Sequence, residues 1–345
     1  MNCFSRVNWS KSLNRPKTRD SGGLFKISFP NTGAGKPSLV NGMIRFPLGL
    51  QVNRWFGIKE FFLPFPTNLD FSKVKEFTIL PKNGAFYLEC TYAMEKVEPK
   101  LNLEQALAID LGTSANLMAC VDTLSNSFLV DSRQAKAMNQ LYNKRVGNRK
   151  KGKDKDYWDS VLDRVTRKRN QQMRDMVNKS ARIAINHCLK NDIGTIVVGW
   201  NDGIKDGANL GKKNNQQFVS MPLSRLKDRI EQLCLLYKIR FVQTEEANTS
   251  AASYFDGDSL PEYGQKPNEW KASGKRIKRG LYRTADQSLV NADLQASANI
   301  LRKVATRNLG IDLSRLGRRC LTTVGIIKLW ATPKSNSCPK ESHSL

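Results

Sequence analysis

The most restrictive feature of the sequence is a set of short, continuous apolar runs that begins near residue 105. The clearest examples are ALAID at 106–110 and TIVVG at 195–199. Polar and apolar residues do not alternate in these runs, so they indicate strands that are buried on both faces of a sheet. Such a sheet needs helices on both sides, which predicts an α/β fold.

The elements around these two runs predict a particular fold. In chain order they are strands at 115–122 and 127–131, a long helical region at about 134–190 that the basic stretch KRVGNRKKGKDK (144–155) interrupts, a helix at 222–238, a strand from 239 and a helix at 291–306. Three strands, a long helix, and then strand, helix, strand and helix is the order of the ribonuclease-H-like fold. In that fold three antiparallel strands are followed by parallel strands with crossover helices.

Residues 1 to about 100 show a different pattern, in which short apolar runs are separated by Gly, Pro and Asn. That spacing predicts a small β-rich barrel or sandwich. The basic stretch at about 256–288 is predicted to be a linker, and the chain end, 331–345, to be disordered. The predicted domains are therefore a β-rich domain at 1–100, an α/β domain at 105–306 and a tail at 307–345.

The charge of the chain favours a polyanionic partner. Its 345 residues include 56 Lys and Arg against 31 Asp and Glu, a formal net charge of +25. Each phosphate that a cation neutralises releases a counterion, so nucleic acid is the leading partner. A merely soluble basic surface and a membrane surface are the alternatives, although the basic residues do not follow one amphipathic helix. The candidate nucleic-acid-binding residues, in the basic segments 144–155, 205–213 and 271–283, are Lys144, Arg145, Arg149, Lys150, Lys151, Lys212, Lys213, Lys275, Arg276, Lys278 and Arg279.

Several kinds of site and location are disfavoured by the composition. The seven cysteines form no C-x-x-C pair, and two histidines are too few for an imidazole metal centre. Neither a disulfide framework nor a cysteine zinc site is therefore predicted. No apolar run reaches the roughly 18 residues that a membrane helix needs, and the start lacks a signal-peptide core. The prediction is a cytoplasmic protein in a reducing compartment.

Two aspartates lie at positions where an α/β sheet commonly places a site. Asp110 ends the first strand, and Gly112 allows the chain to turn sharply after it. Asp293 lies in the first turn of the last helix, with Asn291 as the predicted N-cap. Taken singly, an ordinary turn for Asp110 and a carboxylate that complements the helix dipole for Asp293 are the alternative interpretations.

A third carboxylate comes from the stretch IRFVQTEEANTSAAS at 239–253, in which a strand ends in two adjacent glutamates. Its carboxyl end is expected on the same side of the sheet as Asp110. Strand alternation puts Glu246 on the face of Val242 and Thr244, and Glu245 on the opposite face. We therefore predict Glu246 as the third acid, with Glu245 as the alternative.

Three carboxylates that converge in a basic protein form an all-oxygen site suited to Mg²⁺ or Mn²⁺. Two such ions, about 3.5–4 Å apart, can activate a water and stabilise the leaving oxygen in phosphodiester hydrolysis. The sequence therefore predicts a magnesium-dependent nuclease in which Asp110, Glu246 and Asp293 are the catalytic and metal-binding residues.

Three segments of the chain resemble the TnpB (OrfB) proteins of insertion sequences. The segment AIDLGTSANLMACVD resembles their first RuvC motif. The segment RKRNQQMRDMVNKSARIAINHCL resembles their long helix before the second motif. The segment NADLQASANILRKV resembles their third motif, with Gln295 replacing the usual Asn. By position, Asp110 and Asp293 match the first and third catalytic acids. The resemblance covers about 105–305, and residues 24–95 are similar to part of the family's wedge barrel.

These family members are RNA-guided DNA nucleases related to type V CRISPR effectors and Fanzor proteins. The resemblance therefore implies a RuvC-like domain behind a wedge-like nucleic-acid-binding domain. It also implies a guide RNA and target DNA as partners, two Mg²⁺ or Mn²⁺ ions as cofactors, and association with the nucleoid of a prokaryote. On this view the guide selects the target, while the protein reads a short flanking motif and the shape of the heteroduplex.

The chain departs from the family pattern in three places. TIVVG ends in Gly199, where most members have a catalytic Glu; some members instead carry it later in a Glu–x–x–Thr–Ser motif, which Glu246, Thr249 and Ser250 match. Ser253 stands where the first Cys of a zinc ribbon is usual, so no zinc is expected. Only 109 residues precede Asp110, which predicts an N-terminally shortened copy with weaker guide and target handling.

Two other functions are compatible with parts of the sequence. If Glu246 does not replace the acid that is missing at Gly199, the protein would be a guided DNA-binding factor without cleavage. The DLGT motif also resembles the first phosphate loop of sugar-kinase and actin-like ATPases, but those proteins need a second Asp–x–Gly phosphate loop, and none occurs here in a suitable strand–turn context. The presence of both Asp110 and Asp293 favours the nuclease.

Overall fold

The chain divides into two units, Met1–Met94 and Glu95–Leu345. The computed structural model describes residues 24–33, 35–95, 99–112, 115–201, 221–305, 310–322 and 324–330. The continuous apolar runs that predicted doubly buried strands all belong to the second unit.

The described part of the first unit consists mainly of two three-stranded antiparallel sheets. Strands β1 (Ile27–Pro30), β5 (Val74–Lys82) and β6 (Ala85–Tyr92) form one sheet, in the order β1-β5-β6. Strands β2 (Ser38–Val40), β3 (Met43–Pro47) and β4 (Glu60–Pro64) form the other, and helix α1 (Leu50–Phe56) connects β3 to β4. Ile44, Phe46, Val74 and Phe77 are the buried core of this β-rich unit.

A six-stranded sheet forms the centre of the second unit. Its strands are β7 (Asn102–Leu111), β8 (Asn116–Asp122), β9 (Ser127–Asp131), β10 (Ile193–Gly199), β11 (Arg240–Thr244) and β15 (Gly325–Ile327), in the order β11-β10-β7-β8-β9-β15. Strands β7, β8 and β9 are antiparallel neighbours, whereas β10 and β11 extend the sheet in parallel. The fold is mixed α/β, and the first five strands follow one another in the chain as predicted.

Helices cover both faces of this sheet, as its non-alternating strands require. They are α2 (Arg133–Lys150), α3 (Ser160–Lys190), α4 (Leu223–Leu236), α5 (Ala292–Ala305) and the short α6 (Arg318–Thr322). Leu107 and Ile109 of β7 belong to the buried cluster that contains residues of α3 and α4. Ala106 and Ala108 belong to the cluster on the α5 side. Successive residues of β7 therefore face different helices.

The helical region breaks later than the sequence predicted. Helix α2 continues through most of the basic stretch to Lys150, and the break occupies 151–159 before α3 begins. The last turn of α2 carries Arg149 and Lys150, and such cations complement the dipole at a helix C-terminus. Among the described helices, none is both long enough and apolar enough to cross a membrane.

The segment predicted as a basic linker contains a small sheet instead. Strands β12 (Lys275–Lys278) and β13 (Leu281–Arg283) form a hairpin, and β14 (Leu289–Asn291) pairs with β13. The turn contains Gly280 at a φ of 74°, the left-handed conformation that such tight hairpins require. The strands are short and carry many charges, so the sequence showed little of the apolar pattern that indicates a strand.

Part of the predicted C-terminal tail belongs to the fold. Ile311, Leu316, Cys320 and Leu321 are buried in the cluster on the α5 side. Strand β15 pairs in parallel with β9 and becomes the sixth strand of the sheet. These elements are too short to show a helical or strand period, which is why the sequence did not predict them. The predicted disordered end, 331–345, lies outside the described residues.

Candidate active site

Asp110 lies at the carboxyl end of β7, on the face of the sheet that α5 covers. Along β7, Ala106, Ala108 and Asp110 share this face, whereas Leu107 faces the other way. Ser297 of α5 donates a hydrogen bond from its Oγ to the carbonyl oxygen of Ala108, 3.0 Å away. Small side chains on both elements therefore let α5 approach the strand closely, directly before Asp110.

Gly112 permits a tight connection between β7 and β8. A Cβ atom at this position would lie 2.8 Å from the carbonyl oxygen of Asn116. The Gly112 amide donates to the carbonyl of Leu117 at 3.0 Å. A larger residue would push apart the two strand ends that carry Asp110 and Asn116.

The Glu246 carboxylate lies over Gly199, next to Asp110. In the parallel register of β7 and β10, Val198 pairs with Ile109, which sets Gly199 beside Asp110. A Cβ atom at 199 would lie 3.3 Å from Glu246 Oε2. Glu246 therefore reaches the place that a side chain from position 199 would otherwise take.

Hydrogen bonds hold the turn that carries Glu246. The Glu246 amide donates to Oδ1 of Asn201, just after β10, at 3.1 Å. Thr249 donates from its Oγ1 to the Glu246 carbonyl at 2.8 Å. The Thr249 carbonyl in turn accepts from Nδ2 of Asn299 on α5 at 2.9 Å. The turn is thus tied to the end of β10 and to α5.

Glu245 has a different environment from its neighbour. Its carboxylate forms an ion pair with Lys303 of α5, a side chain with only 5% of its surface exposed. It also accepts from the amide of Tyr263 at 2.9 Å. The prediction that Glu245 points to the sheet face opposite α5 is therefore wrong, because β11 ends at Thr244 and strand alternation stops there.

Asp293 lies at the start of α5, and both of its carboxylate oxygens have partners. Asn291 accepts at its Oδ1 from the amides of Asp293 and Leu294, both at 3.0 Å, as an N-cap does. Asn116 donates from its Nδ2 to Asp293 Oδ2 at 2.8 Å. Arg276 of β12 forms an ion pair with Oδ1 at 2.7 Å. The sequence did not single out Asn116, and it predicted Arg276 only as a nucleic-acid contact.

The acids influence one another electrostatically. Burial is the main cause that raises the pKa of Asp110 to about 8; the charges of Glu246 and Asp293 raise it further, and Arg276 opposes them. Burial also raises the pKa of Glu246, Glu245 adds to that effect, and Lys303 opposes it. The structure thus brings Glu246 and Asp293 close enough to Asp110 to disfavour its negative charge, with Arg276 as the nearby cation.

The chemistry of these side chains suits a hard divalent cation, since every donor is a carboxylate oxygen. Their repulsion is also of the kind that a divalent cation relieves. In the described part of the chain, however, no group of three or more His, Cys, Asp or Glu side chains is arranged to hold a metal ion. The ion pair of Arg276 and the hydrogen bond of Asn116 occupy Asp293, so these contacts would have to change before Asp293 could bind one.

The comparison with protein families assigns part of this region. Residues 89–205 match the family OrfB_IS605, described as probable transposase. The match spans β7 to β10, and so includes Asp110 and Gly199. This part of the chain is similar to the TnpB (OrfB) proteins.

Solved structures with some similarity to this chain include two Cas12f complexes. The Cas12f1–sgRNA–target DNA complex is 15% identical, with a TM-score of 0.47, over 66% of this chain and 45% of that one. The CRISPR–Cas12f ternary complex is 13% identical, with a TM-score of 0.41, over 84% of this chain and 66% of that one. The comparison with curated proteins found no match.

The Asp258 carboxylate connects the two ends of the segment 253–273, which follows the Thr–Ser motif. Asp258 accepts from the amide of Ser253 at 2.7 Å and from the amide of Ser273 at 3.0 Å. Its other oxygen accepts from the Ser273 hydroxyl. Asp258 thereby joins the start of the segment to the residues directly before β12, which carries Arg276. An Asp between two serines has no recognisable spacing, so the sequence did not indicate this contact.

The predicted nucleic-acid-binding residues within the described part of the chain form two groups. Those on or directly after the C-terminal half of α2 are Lys144, Arg145, Arg149, Lys150 and Lys151, and those of the β12–β13 hairpin are Lys275, Arg276, Lys278 and Arg279. Arg149 is paired with Asp159 at 2.6 Å. Lys212 and Lys213 lie outside the described residues.

We expect Gly199→Ala to destabilise the folded protein. The new Cβ would run into the buried side chain of Ile300 and approach the Glu246 carboxylate. Overpacking of this kind typically costs about 1–3 kcal/mol. Gly147→Ala is the matched control: it lies in α2 with open space around it, and should gain about 0.5–1 kcal/mol. Denaturant unfolding followed by circular dichroism checks both; equal stability of Gly199→Ala and the parent would contradict the close packing at this site.

Proposed function

We propose that the protein is a transposon-associated, RNA-guided DNA endonuclease with a ribonuclease-H-like (RuvC-like) nuclease domain. The observation that carries this proposal is the grouping of Glu246 and Asp293 around Asp110, whose pKa is raised first by burial and then by the charges of these two neighbours. Three carboxylates so close together in a protein of net charge +25 have a cost in stability that metal-assisted catalysis explains.

The topology supports the nuclease domain. Three antiparallel strands, β7 to β9, are followed by β10 and β11 in parallel on the other side of β7. Asp110 and Glu246 then come from the carboxyl ends of strands in one sheet, where sites of open α/β sheets commonly lie. Asp293 reaches the same place from the first turn of α5, because small residues let that helix pack closely on β7.

Asp110, Glu246 and Asp293 would hold Mg²⁺ or Mn²⁺. Two bound ions would supply an activated water and charge stabilisation for the leaving oxygen of a phosphodiester. Because its pKa is raised, Asp110 keeps a proton at neutral pH in the absence of metal. It would release that proton when a divalent cation binds. Arg276 neutralises Asp293 in the structure, and its guanidinium also suits a phosphate oxygen of an incoming strand.

The nucleic-acid partners in this proposal are a guide RNA and a target DNA. The support is the charge of +25 and the two groups of basic side chains, on α2 and on the β12–β13 hairpin. Arg276 belongs to the second group and contacts Asp293, which links that surface to the acids.

A second candidate is guided DNA binding without cleavage. The observation that favours it is the bonding of Asp293: one carboxylate oxygen accepts a hydrogen bond from Asn116, and the other forms an ion pair with Arg276. If Arg276 stays on Asp293 when nucleic acid binds, only Asp110 and Glu246 remain to hold a metal ion.

Cleavage by the full chain, purified together with the RNA of its element, tests the two candidates. The substrate is a plasmid library with a guide-matched target and randomised flanking sequence, incubated with Mg²⁺, Mn²⁺ or EDTA. Metal-dependent cutting that Asp110→Ala abolishes supports the nuclease. Guide-dependent DNA binding without cutting in either metal would replace it with the second candidate.

A further inference from the structure

A groove lies between α2 and α3, next to the break that joins them. Its volume is about 600 Å³, which falls within the range of roughly 300–1,000 Å³ of ligand-binding sites. Val161, Leu162 and Val165 of α3 provide its apolar surface. The polar lining residues are Arg145, Asn148, Arg149, Arg164 and Lys168. None of these residues belongs to the acid site.

The groove has four cationic side chains and no carboxylate among its lining residues. Arg149 is paired with Asp159. Arg145, Arg164 and Lys168 are exposed and form no ion pair with any described residue. Unneutralised cations around a concave surface raise the local positive potential and concentrate anions there. The groove therefore favours an anionic ligand.

The connection between α2 and α3, at one end of the groove, is held in place by contacts within the protein. Asp159 caps α3 by accepting from the amide of Leu162 at 2.9 Å, and it also accepts from the hydroxyl of Tyr157 at 2.8 Å. The backbone hydrogen bond is the first cause that lowers the pKa of Asp159 to about 2, and Arg149 contributes. Lys150 lies over the ring of Trp158, 5.2 Å from its centre. A groove whose two walls are joined in this way loses little freedom on binding.

The apolar side chains distinguish a nucleotide from a simple anion. A bare phosphate would gain nothing from Val161 and Val165, whereas the face of a base or a ribose could pack against them. In a duplex the base faces are stacked on one another, so only an unpaired nucleotide presents one. We propose that this groove binds an unpaired segment of a nucleic-acid strand, with a base against Val161 and Val165 and phosphates on Arg145, Arg164 and Lys168.

This inference extends the nuclease proposal and shares its premise that nucleic acid is the partner, but it does not depend on cleavage. RNA and DNA strands share the chemistry involved. Binding is therefore measured with the full chain in EDTA, so that failure of the acid site to cut leaves the test unaffected.

The test compares two double variants by fluorescence anisotropy. Arg164→Ala with Lys168→Ala removes one arginine and one lysine from the groove. Arg174→Ala with Lys190→Ala removes the same charges from exposed positions elsewhere on α3. The probes are a 12-nucleotide single-stranded RNA, the same sequence as single-stranded DNA, and the DNA duplex, each over a range of salt concentrations.

We expect the groove variant to weaken binding of at least one single strand about 10-fold more than binding of the duplex. Its salt slope for that strand should fall by about 1–2, since each phosphate contact contributes roughly one. The control variant should lower the affinities for all three probes equally and slightly. Whether the groove variant loses affinity for the RNA strand, the DNA strand or both shows which nucleic acid the groove binds.

Val165→Thr tests the apolar surface, since the two side chains have nearly the same size. It should weaken single-strand binding about 2- to 5-fold and leave duplex binding unchanged. Melting temperatures check that each variant is folded. Equal losses on single strands and duplex, or equal effects of the two double variants, would overturn the proposal, because both outcomes mean general charge attraction.

Discussion

Replacing Glu246 by glutamine should lower the rate of metal-dependent DNA cleavage by at least about 100-fold, because changes even in the partners of metal ligands typically cost 10- to 100-fold. The substitution keeps the shape of the side chain over Gly199 but removes the charge that faces Asp110. Burial and Glu245 already disfavour that charge in the folded protein, so the melting temperature in EDTA should stay the same or rise. Single-turnover cleavage and thermal unfolding measure the two effects.

Glu245→Gln is the matched control, because it makes the same chemical change one residue earlier. It weakens the contact with Lys303, whose side chain is almost fully buried. Removing one partner of a buried ion pair commonly costs about 3–5 kcal/mol, and the hydrogen bond that glutamine can still accept would reduce that loss. We expect Glu245→Gln to melt earlier yet to cleave within a few-fold of the parent below its melting temperature. If Glu245→Gln abolished cleavage while Glu246→Gln retained it, the assignment of the third acid would be reversed.

Replacing Asp110 by asparagine should remove much of the pH dependence of stability in EDTA. The pKa of Asp110 is raised to about 8, so the folded protein keeps a proton that the unfolded chain releases near pH 4. The stability that this proton contributes is complete below about pH 4, decreases as the pH rises, and is lost above about pH 8. Asparagine stays neutral throughout, so the free energy of unfolding of the variant should exceed that of the parent most at high pH.

Urea unfolding at pH 5, 6.5 and 8.5 measures this effect. The difference between variant and parent should grow by up to about 1.4 kcal/mol per pH unit between the two pKa values. Asp154→Asn, at an exposed position between α2 and α3, should leave the profile of the parent unchanged. Parallel profiles for Asp110→Asn and the parent would mean that Asp110 ionises normally in the folded protein. The variant should also fail to cleave DNA at any pH.

The main strands and helices of the second unit could be predicted from the sequence because their signal is local. A doubly buried strand such as β10 needs apolar residues at every position, and a helix such as α5 repeats them every three or four residues. Both patterns can be recognised within a few residues. Strands β12 to β15 have only three or four residues each, and β12 and β15 contain no buried residue, so the sequence carried no comparable signal.

The acids were predictable for a similar reason, since strand ends and helix starts are local features. Asp110 follows an apolar run, and Asp293 follows the cap of a helix. The face of Glu246 followed from counting along β11, and its carboxylate does lie on the α5 side, next to Gly199. The same counting failed for Glu245, because the regular alternation ends with the strand at Thr244.

Only the tertiary structure decided which side chains meet around the acids. Asn116 and Asp293 are 177 residues apart in the chain, yet they share a hydrogen bond. Arg276 contacts Asp293 only because a hairpin forms in the segment that the sequence predicted as a linker. The sequence by itself determined the order of the main strands and helices of the second unit and the carboxylates at their ends, since hydrophobic periodicity is local. The environment of each acid depends on packing between distant segments, and no local pattern encodes those contacts.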